Sequence, residues 1–246
     1  MDLRVDVENT FTAFVRSYGG EVVRDLVGAS PAFLNADYVF RKQGVVAELK
    51  CLTEDKSADA RMRTKINTKF LEWMNRRLIG PIYGRVQIQS RTLPIECQRE
   101  LMAIVAAPLR SHIRKANDQI KSTISQLRLE NAKGLLILVN DGNYSLETDA
   151  TLYLIGRILG SRFRGIHSVV YLTVNLYAHA PGTAGPLLVW VHAARGSIPS
   201  VDYHFIDDLF AAWRVYLGRI TNHEIGLVPV TRREDVSSLR FERRGR

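Results

Sequence analysis

Apolar residues recur at helical spacing at the start of the chain and then fall into short runs bounded by turn-forming residues. The first pattern predicts a helix that begins after an N-cap at Asp6 and ends at Gly19-Gly20. Three strands are predicted to follow, at residues 21–27, 36–41 and 45–52. The apolar stripe of the first helix consists of Val7, Phe11, Phe14, Val15 and Tyr18.

The remainder of the chain alternates predicted helices and strands without a linker-like stretch. A helix is predicted to start at Ser57, and a further helix is expected to run from Leu93-Pro94 to a point near Pro108. A long helix is predicted from Ser111, and the dense apolar run at residues 135–139 predicts a strand covered on both faces. The later predicted elements are a helix at 148–163, strands at 168–178 and 187–194 joined by a hairpin loop at 181–186, and a helix at 202–217.

These patterns predict a single α/β domain in which helices flank a mixed central sheet. A length of 246 residues, 46% of them hydrophobic, suits one large domain with a sizeable core. The domain is predicted to consist of a core at residues 5–52 and 111–140, a basic helical insertion at 53–110, a β/α extension at 141–230 and a basic tail at 231–246.

The net charge of +9 predicts a polyanionic partner. Nucleic acid is favoured over a membrane surface because no basic amphipathic anchor stands out. No apolar run is long enough to span a bilayer and no secretory signal is visible, so the cytoplasm is the expected compartment. The histidines show no metal-ligand spacing and no Gly-rich phosphate loop is present, which disfavours zinc catalysis and nucleotide hydrolysis.

The candidate chemistry lies on the second and third predicted strands. Glu48 and Lys50 are two residues apart and therefore project from one face, while Val45, Ala47 and Leu49 point to the other. Such alternation is also typical of a half-buried strand with a solvated outer face. A symmetric hairpin with Lys42-Gln43 at its tip would place Asp37 directly opposite Glu48. Two carboxylates that face each other destabilise an ordinary sheet. The pair becomes favourable when oxygens of both carboxylates coordinate one hard cation.

The register of this hairpin has an alternative. Gly44 can adopt a left-handed conformation and form a three-residue loop with a bulge, which shifts the strand pairing by one residue. Asp37 and Glu48 would then lie on opposite faces of the sheet, and a second bulge or a splay of the strands would be needed to bring them together. The sequence leaves both registers open.

A basic helix face in the predicted insertion is a candidate nucleic-acid surface. Its cations are interleaved with Trp73 and Tyr83, as in grooves that follow a phosphate backbone. A solvated helix face explains the same pattern equally well. The residues predicted to contact nucleic acid are Arg61, Arg63, Lys65, Lys69, Arg76 and Arg77, together with Lys115 on the long helix.

The order of one helix, three strands, a helix and a strand, with acids on the second and third strands, resembles the PD-(D/E)xK nuclease superfamily. The resemblance covers roughly residues 5 to 140 without the insertion, and it implies a restriction-endonuclease-like fold. It also implies that Asp37 and Glu48 are metal ligands and that Lys50 is catalytic. Ala36 stands where the motif has its proline.

The same resemblance adds two further residues to the candidate site. Some branches, among them Holliday-junction resolvases, add a glutamate from the first helix to the metal site, which implies a role for Glu8. Because an acid in the first turn also stabilises a helix, Glu8 has a structural explanation as well. Many members use a glutamine or lysine on the helix after the third strand, which would match Gln119, with Lys115 one turn earlier.

The residues and the resemblance together predict a Mg²⁺-dependent deoxyribonuclease, with Mn²⁺ as a substitute. The expected activity is hydrolysis of phosphodiester bonds in DNA, with a water activated at Asp37 and Glu48 and assisted by Lys50. The alternative is a catalytically inactive nuclease-like module that binds nucleic acid or a protein partner. The compact form predicts either a structure-selective enzyme or the nuclease subunit of a larger nuclease assembly. A homodimer is the alternative assembly.

Overall fold

The computed structural model describes most of the chain. No described helix is long and apolar enough to cross a membrane. The described residues are 4–28, 31–53, 59–84, 88–143, 148–160, 162–176, 178–179, 187–196, 198–222, 225 and 240–241.

The first helix forms as predicted. Helix α1 spans Val7–Tyr18, the Asp6 side chain accepts a hydrogen bond from the Asn9 N–H, and Gly19 ends the helix in a left-handed conformation. The predicted strand at residues 21–27 was wrong beyond its first two residues: β1 spans Glu21–Val22, and α2 spans Val23–Val27. The reason is that β1 pairs with a strand that begins at Tyr38, so pairing stops at Val22 and the chain turns away.

The hairpin that follows has the symmetric register. Strand β2 spans Tyr38–Phe40, shorter than the predicted 36–41, and β3 spans Val45–Leu52 as predicted. Tyr38 pairs with Ala47 and Phe40 with Val45. The connection is a 3-10 turn at Arg41–Gln43 followed by Gly44 with φ 61°, rather than a two-residue tip. Gly44 is thus left-handed without shifting the register, because the turn residues together form a symmetric four-residue loop.

Two antiparallel helices follow β3, and the second of them extends past residue 110, where the predicted insertion ends. Helix α3 spans Ala60–Asn75 with its N-cap at Asp59, and the predicted start at Ser57 lies outside the described residues. Helix α4 spans Ile95–Gln126 without interruption. The prediction that one helix ends near Pro108 and another starts at Ser111 was therefore wrong. Pro108 removes one helical hydrogen bond, but Ala106 and Leu109 on either side of it are buried in the core, and this packing keeps the helix continuous.

The second half of the chain completes the sheet. Strand β4 spans Lys133–Asn140, α5 Thr148–Leu159, β5 Ser168–Thr173, β7 Trp190–Ala194 and α6 Tyr203–Thr221. A separate two-stranded sheet pairs β6 (Ala178–His179) with β8 (Arg240–Phe241). Strands β5 and β7 are antiparallel neighbours. The predicted hairpin loop at 181–186 and most of the basic tail lie outside the described residues.

The six-stranded sheet has the order β1-β2-β3-β4-β5-β7 and is mixed, because β3, β4 and β5 are parallel while the other pairings are antiparallel. Helices α1 and α6 pack on one face, where Phe11 and Trp213 belong to one buried cluster. Helices α4 and α5 pack on the other, where Ile113 and Ile155 belong to a second cluster. The predicted α/β architecture is confirmed. Residues 46 and 52 of β3 face the α4 side, so Glu48 and Lys50 project from that same face.

Candidate functional site

The carboxyl groups of Asp37 and Glu48 lie close enough that the charge of Asp37 raises the pKa of Glu48. The pairing of Tyr38 with Ala47 continues by one residue to bring them opposite each other on the α4 side of the sheet. The Asp37 side chain also accepts a hydrogen bond from the Leu49 N–H, with 2.8 Å between Oδ2 and the nitrogen. Of the two registers that the sequence leaves open, the structure has the symmetric one, which brings the two acids to one face.

The backbone that carries Asp37 is held from two sides. Its carbonyl oxygen accepts a hydrogen bond from the Val23 N–H at 2.8 Å. On the other side, the Thr123 Oγ1 on α4 accepts from the Ala36 N–H at 2.7 Å. One turn earlier on the same helix, the Gln119 Nε2 donates to the Asn35 carbonyl at 2.8 Å. Helix α4 therefore fixes the two residues that precede the acid.

Glu48 is a buried carboxylate with incomplete hydrogen bonding. Its side chain is 1% exposed, and one oxygen, Oε1, pairs with the Lys50 Nζ, whose side chain is 19% exposed. The other oxygen, Oε2, is buried and receives no hydrogen bond from a nitrogen or hydroxyl in the described part of the chain. Burial, and then the charge of Asp37, raise the pKa of Glu48 to about 8. Burial likewise raises the pKa of Asp37, although the Leu49 hydrogen bond opposes this.

These acids open onto a polar cleft of about 480 Å³, here called the carboxylate cleft. Glu8 and Gln119 line this cleft, as the resemblance implied, while Lys115 is exposed on α4 and does not. Among the described residues, no group of three or more His, Cys, Asp or Glu side chains could hold a metal ion, so Glu8 does not complete a carboxylate triad in this conformation. The lining residues are Glu8, Asn9, Thr12, Arg16, Val22, Arg24, Asp25, Asn35, Asp37, Tyr38, Glu48, Leu49, Lys50 and Gln119.

The predicted nucleic-acid residues do not line the carboxylate cleft. Lys69 pairs with Glu72 and Glu100, and Arg76 pairs with Glu96 and Glu100. These cations therefore connect α3 to α4. Arg61, Arg63 and Lys65 are exposed on α3, and Arg77 follows the helix with φ 55°.

Sequence reasoning missed two groups at the site. Thr123 lies on the buried stripe of α4, three residues after Ile120, and a hydroxyl on such a stripe is a recognisable signal because a buried polar group requires a partner. Arg24 is an exposed cation on the cleft wall and forms no ion pair with another described residue. Its neighbour Arg16 is paired with Asp25 at 2.7 Å. Nothing in the local sequence distinguishes Arg24 from other surface arginines.

Replacing Thr123 with valine is expected to destabilise the protein by about 1–3 kcal/mol, because the shape is kept while the buried Ala36 N–H loses its acceptor. Thermal or urea unfolding of the purified variant measures this loss. Thr123→Ser retains the oxygen and serves as the matched control, with a smaller loss that reflects the missing methyl group. Equal stability of the valine variant and the wild type would show that the Thr123 hydrogen bond contributes nothing.

The chemistry of the donor set suits a hard divalent cation. Two carboxylates face each other, and one of them presents a buried oxygen that no described donor satisfies. Mg²⁺ and Mn²⁺ prefer oxygen ligands of this kind, and Asp37 and Glu48 are the residues that would hold such an ion. Without a cation, the raised pKa of Glu48 means that its carboxyl group favours the protonated form at neutral pH.

Comparison of the chain with models of protein families, with curated proteins and with solved structures found no match.

Proposed function

We propose that this protein is a metal-dependent nuclease that hydrolyses phosphodiester bonds in DNA. One observation carries the proposal: two carboxyl groups and a lysine, Asp37, Glu48 and Lys50, converge in one cleft, and the buried Glu48 Oε2 has no described hydrogen-bond donor. A structural ion pair between Glu48 and Lys50 alone would not place a second carboxylate beside the first, since like charges repel.

The sheet supports a restriction-endonuclease-like assignment for the core. Helix α1 is followed by the antiparallel set β1-β2-β3, and after α4 the chain returns as β4, parallel to β3. Apart from the short α2 between β1 and β2, and α3 before α4, this is the element order that resembles the PD-(D/E)xK superfamily. In this arrangement Asp37 lies directly before β2 and Glu48 lies in β3, while Glu8 and Gln119 enter the same cleft from α1 and α4.

The residues of the cleft have distinct proposed roles. A bound divalent cation would supply Lewis-acid activation of the phosphodiester and of the attacking water. Lys50 places an ammonium group beside the two acids, where it can donate hydrogen bonds to a phosphate oxygen and stabilise charge that develops there. Glu8 adds negative charge at the cleft wall, and Gln119 holds the Asn35 backbone through its amide. Arg24 is available for a neighbouring phosphate.

Incubation of the purified protein with DNA tests this activity. Supercoiled plasmid, linear duplex, single strands and branched junctions are each incubated with Mg²⁺, with Mn²⁺ or with EDTA, and products are resolved on gels. We expect cleavage of at least one substrate with either metal and none with EDTA, because both acids need a cation to act together. Failure to cut any substrate with either metal, in protein shown to be folded, would contradict the proposal.

A second candidate is a nuclease-like module that binds nucleic acid or a protein partner without cleaving. Two observations favour it: Lys50 already engages Glu48, and no third metal-binding side chain joins the pair in the described residues. Gel-shift or anisotropy measurements on the same substrates separate the candidates. Tight DNA binding without cleavage in Mg²⁺ and Mn²⁺ supports this second function.

A further inference from the structure

A groove lies between α3 and α4, and the proposed nuclease chemistry does not use it. Its volume is about 660 Å³, within the size range of ligand-binding cavities. We call it the α3–α4 groove; it is lined by Asp59, Arg61, Met62, Lys65, Lys69, Glu100, Ala103, Ile104, Ala107 and Pro108. None of these residues lines the carboxylate cleft.

The two helices of the groove are antiparallel and are joined at one end. Trp73 donates to Glu100, and Arg76 pairs with both Glu96 and Glu100. A small buried cluster around Trp73, Leu93 and Cys97 fills the space between the helices at this end. Toward Arg61 and Pro108 no such cluster closes the gap among the described residues, and the groove opens there.

The floor of the groove is apolar and contains a backbone acceptor. Met62, Ala103, Ile104 and Ala107 supply the apolar surface. Pro108 has no N–H, so the Ile104 carbonyl lacks the hydrogen bond that an ordinary helix residue at position 108 would donate.

The rim of the groove is cationic and partly unneutralised. Lys69 is paired with Glu72 and Glu100. Arg61 and Lys65, in contrast, are exposed and form no ion pair with any described residue. Both project from α3 one turn apart, along one side of the apolar floor. The groove therefore offers apolar contact flanked by positive charge.

The chemistry distinguishes between possible occupants. Single-stranded nucleic acid is bound by stacking bases on aromatic rings, and no aromatic side chain lines the groove. Two antiparallel helices with an open apolar seam accept a third helix. The lining of α3 from Arg61 to Lys69 extends over about 12 Å, which matches about two turns of a partner helix.

We propose that the α3–α4 groove is a docking site for an acidic amphipathic helix of a partner protein. The apolar face of that helix packs on Met62, Ile104 and Ala107, and its carboxylates pair with Arg61 and Lys65. The proposal does not depend on nuclease activity, since no residue of the carboxylate cleft takes part.

The probe is a fluorescein-labelled synthetic helix with leucines at i, i+3, i+4 and i+7 and glutamates elsewhere, and its binding to the full-length protein is followed by fluorescence anisotropy. We expect Lys65→Glu and Ala107→Glu each to weaken binding by about tenfold or more, because each places a carboxylate against the acidic helix. Both positions are exposed, so the fold is not at risk, and circular dichroism verifies this. Arg128→Glu is the control: it reverses one exposed charge in the turn after α4, does not line the groove and should leave affinity unchanged.

Three results would overturn the proposal. A peptide of the same composition with its leucines dispersed around the helix could bind as well as the probe, which would indicate non-specific charge attraction. Single-stranded DNA could bind with the same sensitivity to Lys65→Glu and Ala107→Glu, which would assign the groove to nucleic acid. Sedimentation could show a dimer of this chain that Ala107→Glu dissociates, which would make a second copy the occupant.

Discussion

Glu48→Gln is expected to reduce DNA cleavage by at least about 10³-fold, equivalent to about 4 kcal/mol of transition-state stabilisation. The substitution preserves the shape of a side chain that is 1% exposed, and it removes the charge that a divalent cation needs. The measurement is the initial rate of plasmid nicking or duplex cleavage with Mg²⁺ and with Mn²⁺. Retention of cleavage within tenfold of the wild type would remove Glu48 from the site.

Glu130→Gln is the matched control, because Glu130 is exposed in the turn after α4 and does not line the carboxylate cleft. It should cleave DNA as the wild type does. A low activity of both variants would point to a preparation defect rather than to the role of Glu48. A further control is the melting temperature in Mn²⁺ against EDTA, since Mn²⁺ should stabilise the wild type and Glu130→Gln but not Glu48→Gln.

In EDTA, the melting temperatures of the wild type and Glu48→Gln are expected to depend differently on pH. The pKa of Glu48 is raised to about 8 from its ordinary value, so the folded protein holds a proton that the unfolded chain has released. This contribution to stability is fully present below the unfolded pKa and is lost as pH rises through the folded value, between about pH 4.5 and 8. Glutamine does not titrate. The melting temperature of the wild type should therefore fall relative to Glu48→Gln across this range.

The sequence was sufficient for the part of the site that depends on strand period and hairpin register. Glu48 and Lys50 share a face because side chains alternate along β3, and the symmetric hairpin pairing of Tyr38 with Ala47 carries Asp37 to the same face. These are local rules with few alternatives. The sequence left open whether a left-handed Gly44 shifts the strand pairing. The register is unchanged, because the left-handed Gly44 closes a four-residue loop.

Contacts between segments that are distant in the chain could not be predicted from the sequence. Thr123 meets the Ala36 N–H across 87 positions of chain, and no local pattern pairs these two groups. The continuous α4 depends on tertiary burial at Ala106 and Leu109 outweighing the proline at 108. The basic face of α3 looked uniform in sequence, yet Glu96 and Glu100 neutralise Arg76, while Lys65 has no ion-pair partner in the part of the chain that the structure describes. Only the α3–α4 packing determines this division.

Lys50→Met is expected to reduce cleavage by about 10²–10³-fold while leaving cation binding intact, because it removes a charge that stabilises the transition state and keeps both carboxylates. Lys50 pairs with the Glu48 Oε1, so its removal also frees that oxygen for a cation. The melting temperature of Lys50→Met in Mn²⁺ against EDTA should therefore shift by at least as much as that of the wild type. Cleavage is measured on the same substrates as for Glu48→Gln.

The two variants together separate catalysis from cation binding. Glu48→Gln should lose both cleavage and stabilisation by Mn²⁺, whereas Lys50→Met should lose cleavage alone, because its ammonium group acts on the substrate rather than on the ion. Lys50→Arg keeps the positive charge on a bulkier group and should recover part of the activity. If Lys50→Met cleaves DNA within about threefold of the wild type, Lys50 serves only to neutralise the buried Glu48, and its charge has no part in the chemistry.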